Sequence, residues 1–204
     1  MATTKATHMS PKPGVRNLVT SLSPEDDSED EEIIVNAIIE TPQGSRNKYK
    51  YDEEMGLFKL SKVLPAGFDF PFSFGFIPQT LAEDGDPLDV LVLADEPVPV
   101  GCVVPARLIG VLEAENIDQG DKERNDRLIA VATESNDHAD LTSFKKINQN
   151  LMKEIEYFFA AYHQQRGHTF KILGCLGPSG GKKALDKGME FFRRKRGHRG
   201  NGRS

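Results

Sequence analysis

Three carboxylates fall within six residues in Asp84-Gly85-Asp86-Pro87-Leu88-Asp89. Gly85 and Pro87 mark the stretch as a tight loop rather than a helix. Val90-Leu91-Val92-Leu93-Ala94 follows, apolar on both alternating faces, as in a strand buried on both sides. Asp89 thus stands at the mouth of a buried strand, where an ionised carboxylate needs a strong partner. Clustered oxygen ligands suit a hard divalent cation, and Mg²⁺ takes a few carboxylates together with substrate phosphates. A solvated turn before a strand is the plainer alternative, and composition alone leaves it open. A calcium loop of the EF-hand kind is excluded. Counted from Asp84, Leu88 holds the fifth position, and Asp95 rather than a glutamate holds the twelfth.

The elements that must position this loop are mostly strands. Ile33 to Glu40 is rich in β-branched residues, Thr41-Pro42-Gln43-Gly44 is a turn, and Asn47 to Asp52 alternates as a second strand. That alternation puts Lys48 and Lys50 on one face and Tyr49 and Tyr51 on the other. Two lysines there could clasp a polyanion or simply protect a sheet edge. Leu57 to Leu64 is a third strand, and Phe70-Pro71-Phe72-Ser73-Phe74-Gly75-Phe76 reads as an aromatic wall beside the acidic loop. Cys102 to Ala114 forms a long apolar strand. A polar loop over 116–126 then leads to the strand beginning Arg127-Leu128-Ile129-Ala130-Val131, so the unit is a hairpin with a long acidic loop. From Thr142 to Gln165, Phe144, Ile147, Leu151, Ile155, Phe159 and Tyr162 recur every three or four residues, which predicts an amphipathic helix. Phe170 to Leu176 is a last strand, and Lys182 to Arg194 a second helix.

Composition sets the outer bounds. At 204 residues and 38% apolar, the chain can bury one core, and one domain is expected. No run reaches the roughly 20 apolar residues of a membrane span. Cys102 and Cys175 lack metal-like spacing and read as reduced core residues, as in a cytoplasmic protein. Net charge is −5, unevenly spread: seven acids fill residues 25–32, whereas nine Lys or Arg fall in the last 23 residues. The expected organisation is a flexible acidic leader over 1–32, one domain over 33–195 and a basic tail over 196–204. Arg193-Arg194-Lys195-Arg196 could grip nucleic acid, but a solvated helix end is the favoured reading.

The stretch Asp84-Gly85-Asp86-Pro87-Leu88-Asp89-Val90 resembles the signature of the soluble family I inorganic pyrophosphatases, with similarity extending from about Ile33 to about Phe192. The resemblance implies an α+β, mainly β fold: a small closed OB-like barrel with two C-terminal helices packed outside. It also implies Mg²⁺-dependent hydrolysis of pyrophosphate to phosphate in a homo-oligomer, commonly a hexamer among bacterial members. Asp84, Asp86 and Asp89 would hold the metal, with Asp86 beside the nucleophilic water. Glu115 and Asp126, with Asp121 as fallback, are the candidates for further metal-binding acids. Glu40, Lys48, Lys62, Arg127, Tyr162 and His163 match substrate-facing positions.

Several positions depart from the family pattern. Lys50 stands where an acidic residue is usual, and Lys62 replaces an arginine, losing the planar fork. Phe70 and Phe74 replace tyrosines, and His163 replaces a lysine. The aspartate signature is intact while the phosphate-facing set is altered. Two other readings therefore stand beside the hydrolase: a divergent relative with weak activity or another phosphoanhydride substrate, and a non-enzymatic OB-type module binding phosphate or nucleic acid. Against the last, the three aspartates would repel a phosphate backbone unless a metal intervened.

Overall fold

Strand β5 (Asp89–Leu93) is buried along its apolar length, and its two faces feed two different cores. Val90 and Val92 pack with Val35, Leu128 and Ala130, whereas Leu91 and Leu93 pack with Phe72, Ile129 and Val131. A strand apolar on both faces can be satisfied only in such a two-sided setting. The computed structural model that shows this describes residues 18–25, 32–164 and 169–200.

The remaining elements run in chain order as α1 (Leu18–Ser21), β1 (Ile34–Thr41), β2 (Asn47–Asp52), β3 (Leu57–Val63), β4 (Ser73–Phe76), β6 (Val103–Asp118), β7 (Asp121–Arg124), β8 (Arg127–Ala132), α2 (Gln149–Gln164), β9 (Thr169–Leu176) and α3 (Pro178–Gly200). Neighbours in the main sheet follow the order β1-β4-β5-β8-β6, and β6 pairs back onto β1, so these five strands close into a ring. The β5–β8 pair is parallel and the other pairs are antiparallel. β7 and β9 extend β6 beyond the ring. Leu185 and Met189 of α3 close one core, and Ile155, Phe158 and Phe159 of α2 close the other. Gly75 lies where β4 crosses β1 so closely that a Cβ would sit 2.0 Å from the Ile38 carbonyl oxygen.

Four sequence expectations need correcting. The acidic leader is not wholly flexible, because residues 18–25 pack on the ring. Val19 is buried with Ile38, Tyr51 and Phe76, Gln79 N–H donates to the Val19 carbonyl at 2.7 Å, and Glu25 bridges to Val35 and pairs with Lys182. Residues 1–17, 26–31 and 201–204 of the expected leader and tail lie outside the described residues.

The segment read as a long loop over 116–126 is mostly strand, since β6 runs on to Asp118 and turns through Gln119 and Gly120, both at positive φ. Two adjacent positive-φ residues are what a two-residue hairpin turn of matching twist requires. The helix expected from Thr142 starts only at Gln149. Phe144–Lys146 is a separate 3₁₀ turn, Ile147 is extended at ψ 134°, and the Asn148 side chain caps the new helix by accepting from Asn150 N–H at 2.8 Å. Cys102, finally, is exposed rather than a core residue, while burial pushes the Cys175 thiol up to about 11.

Candidate active site

Nine of the twelve residues singled out from the sequence line one cavity of about 430 Å³. Its acidic wall is the 84–89 loop. Thr80 holds the base of that loop, its hydroxyl donating to the Ile77 carbonyl and accepting from Leu88 N–H at 3.0 Å. Asp86 N–H donates to Asp84 Oδ1 at 3.0 Å, and Ala82 N–H donates to the Asp86 carbonyl at 2.8 Å. Gly85, at φ +88°, supplies the left-handed bend that brings Asp84 and Asp86 onto one rim. Asp89 follows at the start of β5, and burial raises its carboxyl against the opposing pull of Arg127 and Lys48.

The facing wall is cationic and comes largely from the β2–β3 hairpin, which forms its own two-stranded sheet. Lys48 Nζ lies 5.3 Å from the ring centres of both Phe74 and Tyr162, and Lys62 Nζ lies 5.3 Å from Tyr162. Aromatic faces attract ammonium groups, so these rings hold the lysine heads over the cavity. Lys50 reaches across to Asp86, Nζ to Oδ2 at 2.6 Å. Tyr162 itself stacks on Phe158, and His163, 3% exposed, stacks on Phe170.

Arg127 lines the cavity from a buried position, 4% exposed. Its guanidinium lies over a neighbouring pair of rings, 4.5 Å from the Phe159 centre and 4.9 Å from the Phe170 centre, donates to the Asn125 carbonyl at 2.6 Å, and lies 3.6 Å from Asp89 Oδ2. A planar cation stacks on aromatic faces better than an ammonium would.

Glu40 has a structural hold on the site. Its Oε1 accepts the Tyr51 N–H at 2.7 Å, and Thr41 Oγ1 accepts the Tyr49 N–H at 3.2 Å. Those two side chains fasten the lysine-bearing strand β2 to β1 where no sheet ladder does. Burial pushes the Glu40 carboxyl up to about 7, against the lowering effect of the Tyr51 hydrogen bond.

Glu115, Asp121 and Asp126 do not line the cavity, and the expectation that they would is corrected. Side chains alternate along a strand, so Asn116 rather than Glu115 faces inward from β6. Glu115 instead approaches Lys122 and Lys171 at 3.6 and 3.9 Å. Asn125 likewise faces the cavity, while Asp126 turns away to accept from Ala114 N–H at 3.0 Å and from Arg124 at 2.8 Å. Asp121 opens β7 at the exposed hairpin tip, opposite Asp118. Choosing carboxylates over their amide neighbours favoured chemistry over strand register, and the register decides. Lys50, Ser61, Asn116, Asn125 and Val19 also line the cavity. Lys50 carried two signals in the sequence, the period-two pattern through Lys48 and its place where the resembled family usually has an acid.

Among the described residues no group of three or more His, Cys, Asp or Glu side chains is placed to hold a metal ion. The acidic rim is instead open and all-oxygen. That set fits a small hard cation that keeps several waters and shares its shell with substrate oxygens, as Mg²⁺ does. By donor type Asp84, Asp86 and Asp89, which line one cavity, suit such an ion, with water and substrate oxygens completing its shell.

A closed strand ring whose acidic rim faces lysines and an arginine across one cleft suits a small, highly charged anion. Comparison with known proteins narrows this. Residues 37–193 match the family model described as inorganic pyrophosphatase. The chain is 39% identical over 154 residues to an inorganic pyrophosphatase of Geobacillus stearothermophilus, covering 76% of this chain and 91% of that one. It is 35% identical over 160 residues to soluble inorganic pyrophosphatase 3 of Arabidopsis thaliana, covering 78% and 72%. The crystal structure of inorganic pyrophosphatase from Thermus thermophilus superimposes with a TM-score of 0.77 at 32% identity, over 87% of this chain and 99% of that one. This chain belongs to the inorganic pyrophosphatase family.

Proposed function

We propose that this chain hydrolyses inorganic pyrophosphate to two phosphates with Mg²⁺ held by Asp84, Asp86 and Asp89. The observation that carries the reading is the opposition, in one cavity, of these carboxylates to Lys48, Lys62 and Arg127. Bound Mg²⁺ would supply a water of lowered pKa and part of the charge that neutralises the departing phosphate. The protein's own groups do the rest. Lys48 and Lys62, steadied over aromatic rings, bind the anion and offset the charge that builds on its oxygens. Arg127 fixes the orientation of Asp89 and adds a buried cation to the cavity lining. Tyr162 and His163 offer polar hydrogens at the same wall, and Asp86 is the carboxylate assigned to the attacking water. Residence in the cytoplasm and assembly into a homo-oligomer belong to the same proposal, supported by the family to which the chain belongs.

Phosphate release from pyrophosphate, with Mg²⁺ and with EDTA, tests the reading in the wild type and in Asp86→Asn. The expected result is Mg²⁺-dependent release that collapses toward background in the variant. One observation favours a second reading: Phe74 and Phe76 line the cavity with rings that offer an anion no hydroxyl. Release from tripolyphosphate or a nucleoside triphosphate but not from pyrophosphate would select that reading.

A further inference from the structure

Lys50 stands out among the cavity's cations because it is committed to a carboxylate of the acidic rim rather than to an aromatic face. Its Nζ is 2.6 Å from Asp86 Oδ2, closer than the Arg127 to Asp89 pair at 3.6 Å. Lys50 and Asp86 come from different walls, 36 residues apart, so the contact spans the mouth of the cleft. Both side chains are about half exposed, 54% and 55%, so the ammonium is free to leave as well as to stay. Glu40 and Asp89 add to the negative field around it. The cavity is lined by five carboxylates (Glu40, Glu53, Asp84, Asp86, Asp89) and four fixed cations (Lys48, Lys50, Lys62, Arg127), and so is nearly neutral before any ion enters.

We propose that Lys50 is a built-in competitor for the metal at Asp86: its ammonium sits on the carboxylate that a divalent cation would use, and the ion must displace it to bind. This rests on the reading of Asp86 as a metal ligand given above. Lys50 is here a residue that sets metal affinity, not a catalytic group. It pairs with Asp86 while the ion is absent. Once displaced, it becomes a further ammonium facing the anion. Occupancy of the rim and the cation count available to pyrophosphate are thereby linked through one side chain.

The test is isothermal titration of MgCl₂ alone, without pyrophosphate, into wild type, Lys50→Met, Lys50→Arg, Lys59→Met and the double variant Lys50→Met/Asp86→Asn. Thermal melts first establish that each is folded. Removing a cation a few ångströms from a divalent ion should tighten Mg²⁺ binding about tenfold in Lys50→Met. Lys50→Arg should match wild type, and so should Lys59→Met, which removes a hairpin lysine paired with Asp52 instead. The gain should vanish in the double variant. Superimposable isotherms for wild type and Lys50→Met, including no binding by either, overturn the proposal. So does a gain that survives loss of Asp86 or is reproduced by Lys59→Met. Because the heats are read without pyrophosphate, a chain that shows the gain yet releases no phosphate would sink the hydrolase reading and leave Lys50's role standing.

Discussion

Replacing Glu40 by glutamine should make this protein more stable at neutral pH and leave its stability unchanged in mild acid. Glu40 is 7% exposed, and burial raises its carboxyl from 4.5 to about 7. The folded protein therefore holds a proton there between pH 4.5 and about 7 that the unfolded chain has released. Stability falls as pH rises wherever the folded state binds more protons. The Glu40 contribution is thus fully present below pH 4.5, declines through about 7 and is flat above it. At about 1.4 kcal/mol per unit, the full excursion is about 3 kcal/mol. The amide of the Glu40→Gln variant would keep an oxygen to accept the Tyr51 N–H and would carry no charge to desolvate. The assay is urea unfolding of wild type and Glu40→Gln at a series of pH values from about 4 to about 8, in EDTA so that no divalent ion neutralises the carboxylate. The two proteins should coincide near the acid end of the series and diverge to about 3 kcal/mol by about pH 8, the variant being the more stable. A difference that stays constant with pH would refute the reasoning, since it would mean that the buried Glu40 carboxyl titrates normally.

Gly75→Ala should destabilise the ring by about 3 kcal/mol in urea unfolding, because the new methyl meets the Ile38 carbonyl rather than a movable side chain. Asn125→Asp should raise Mg²⁺ affinity about tenfold in calorimetry, since affinity for a hard cation follows the charge count of its oxygen ligands. Unchanged affinity would mean that position 125 faces the anion rather than the metal.

How much of this was legible beforehand depended on whether local pattern or three-dimensional register decided the outcome. β5 and the loop before it were plain, because alternation on both faces and Gly/Pro punctuation are local signals. The main apolar stripe of α2 was equally plain. Its start was not, since Phe144 and Ile147 are buried as a helix would bury them, yet sit in a 3₁₀ turn and an extended residue. β4 read as packing rather than strand because four aromatic and small residues give no clear period, and only its two neighbours β1 and β5 make it a strand. The inward-facing residues of β6 and of the approach to β8 were misjudged for the same reason. Asn116 and Asn125 carry no chemical flag, and nothing short of the paired register separates them from Glu115 and Asp126. The packing of Val19 against Tyr51 and Phe76 had no sequence signal at all, being a contact between segments more than thirty residues apart.

The β2–β3 hairpin, hydrogen-bonded as a sheet only to itself and fastened to β1 by the side chains of Glu40 and Thr41, divides the cleft mechanically. Asp89 opens a strand of the ring and Asp84 and Asp86 sit on the loop before it, while Lys48, Lys50 and Lys62 ride on the hairpin. Local opening of such a unit takes less free energy than opening the ring. Amide exchange at Tyr49 and Tyr51 should therefore run ahead of exchange at Val90 and Leu91 and slow when an anion bridges the two sides. The same division affects heredity as much as motion. Substitution of the hairpin lysines would change how the anion is gripped without touching the strand ladders of the ring, since Lys48, Lys50 and Lys62 all lie on the hairpin.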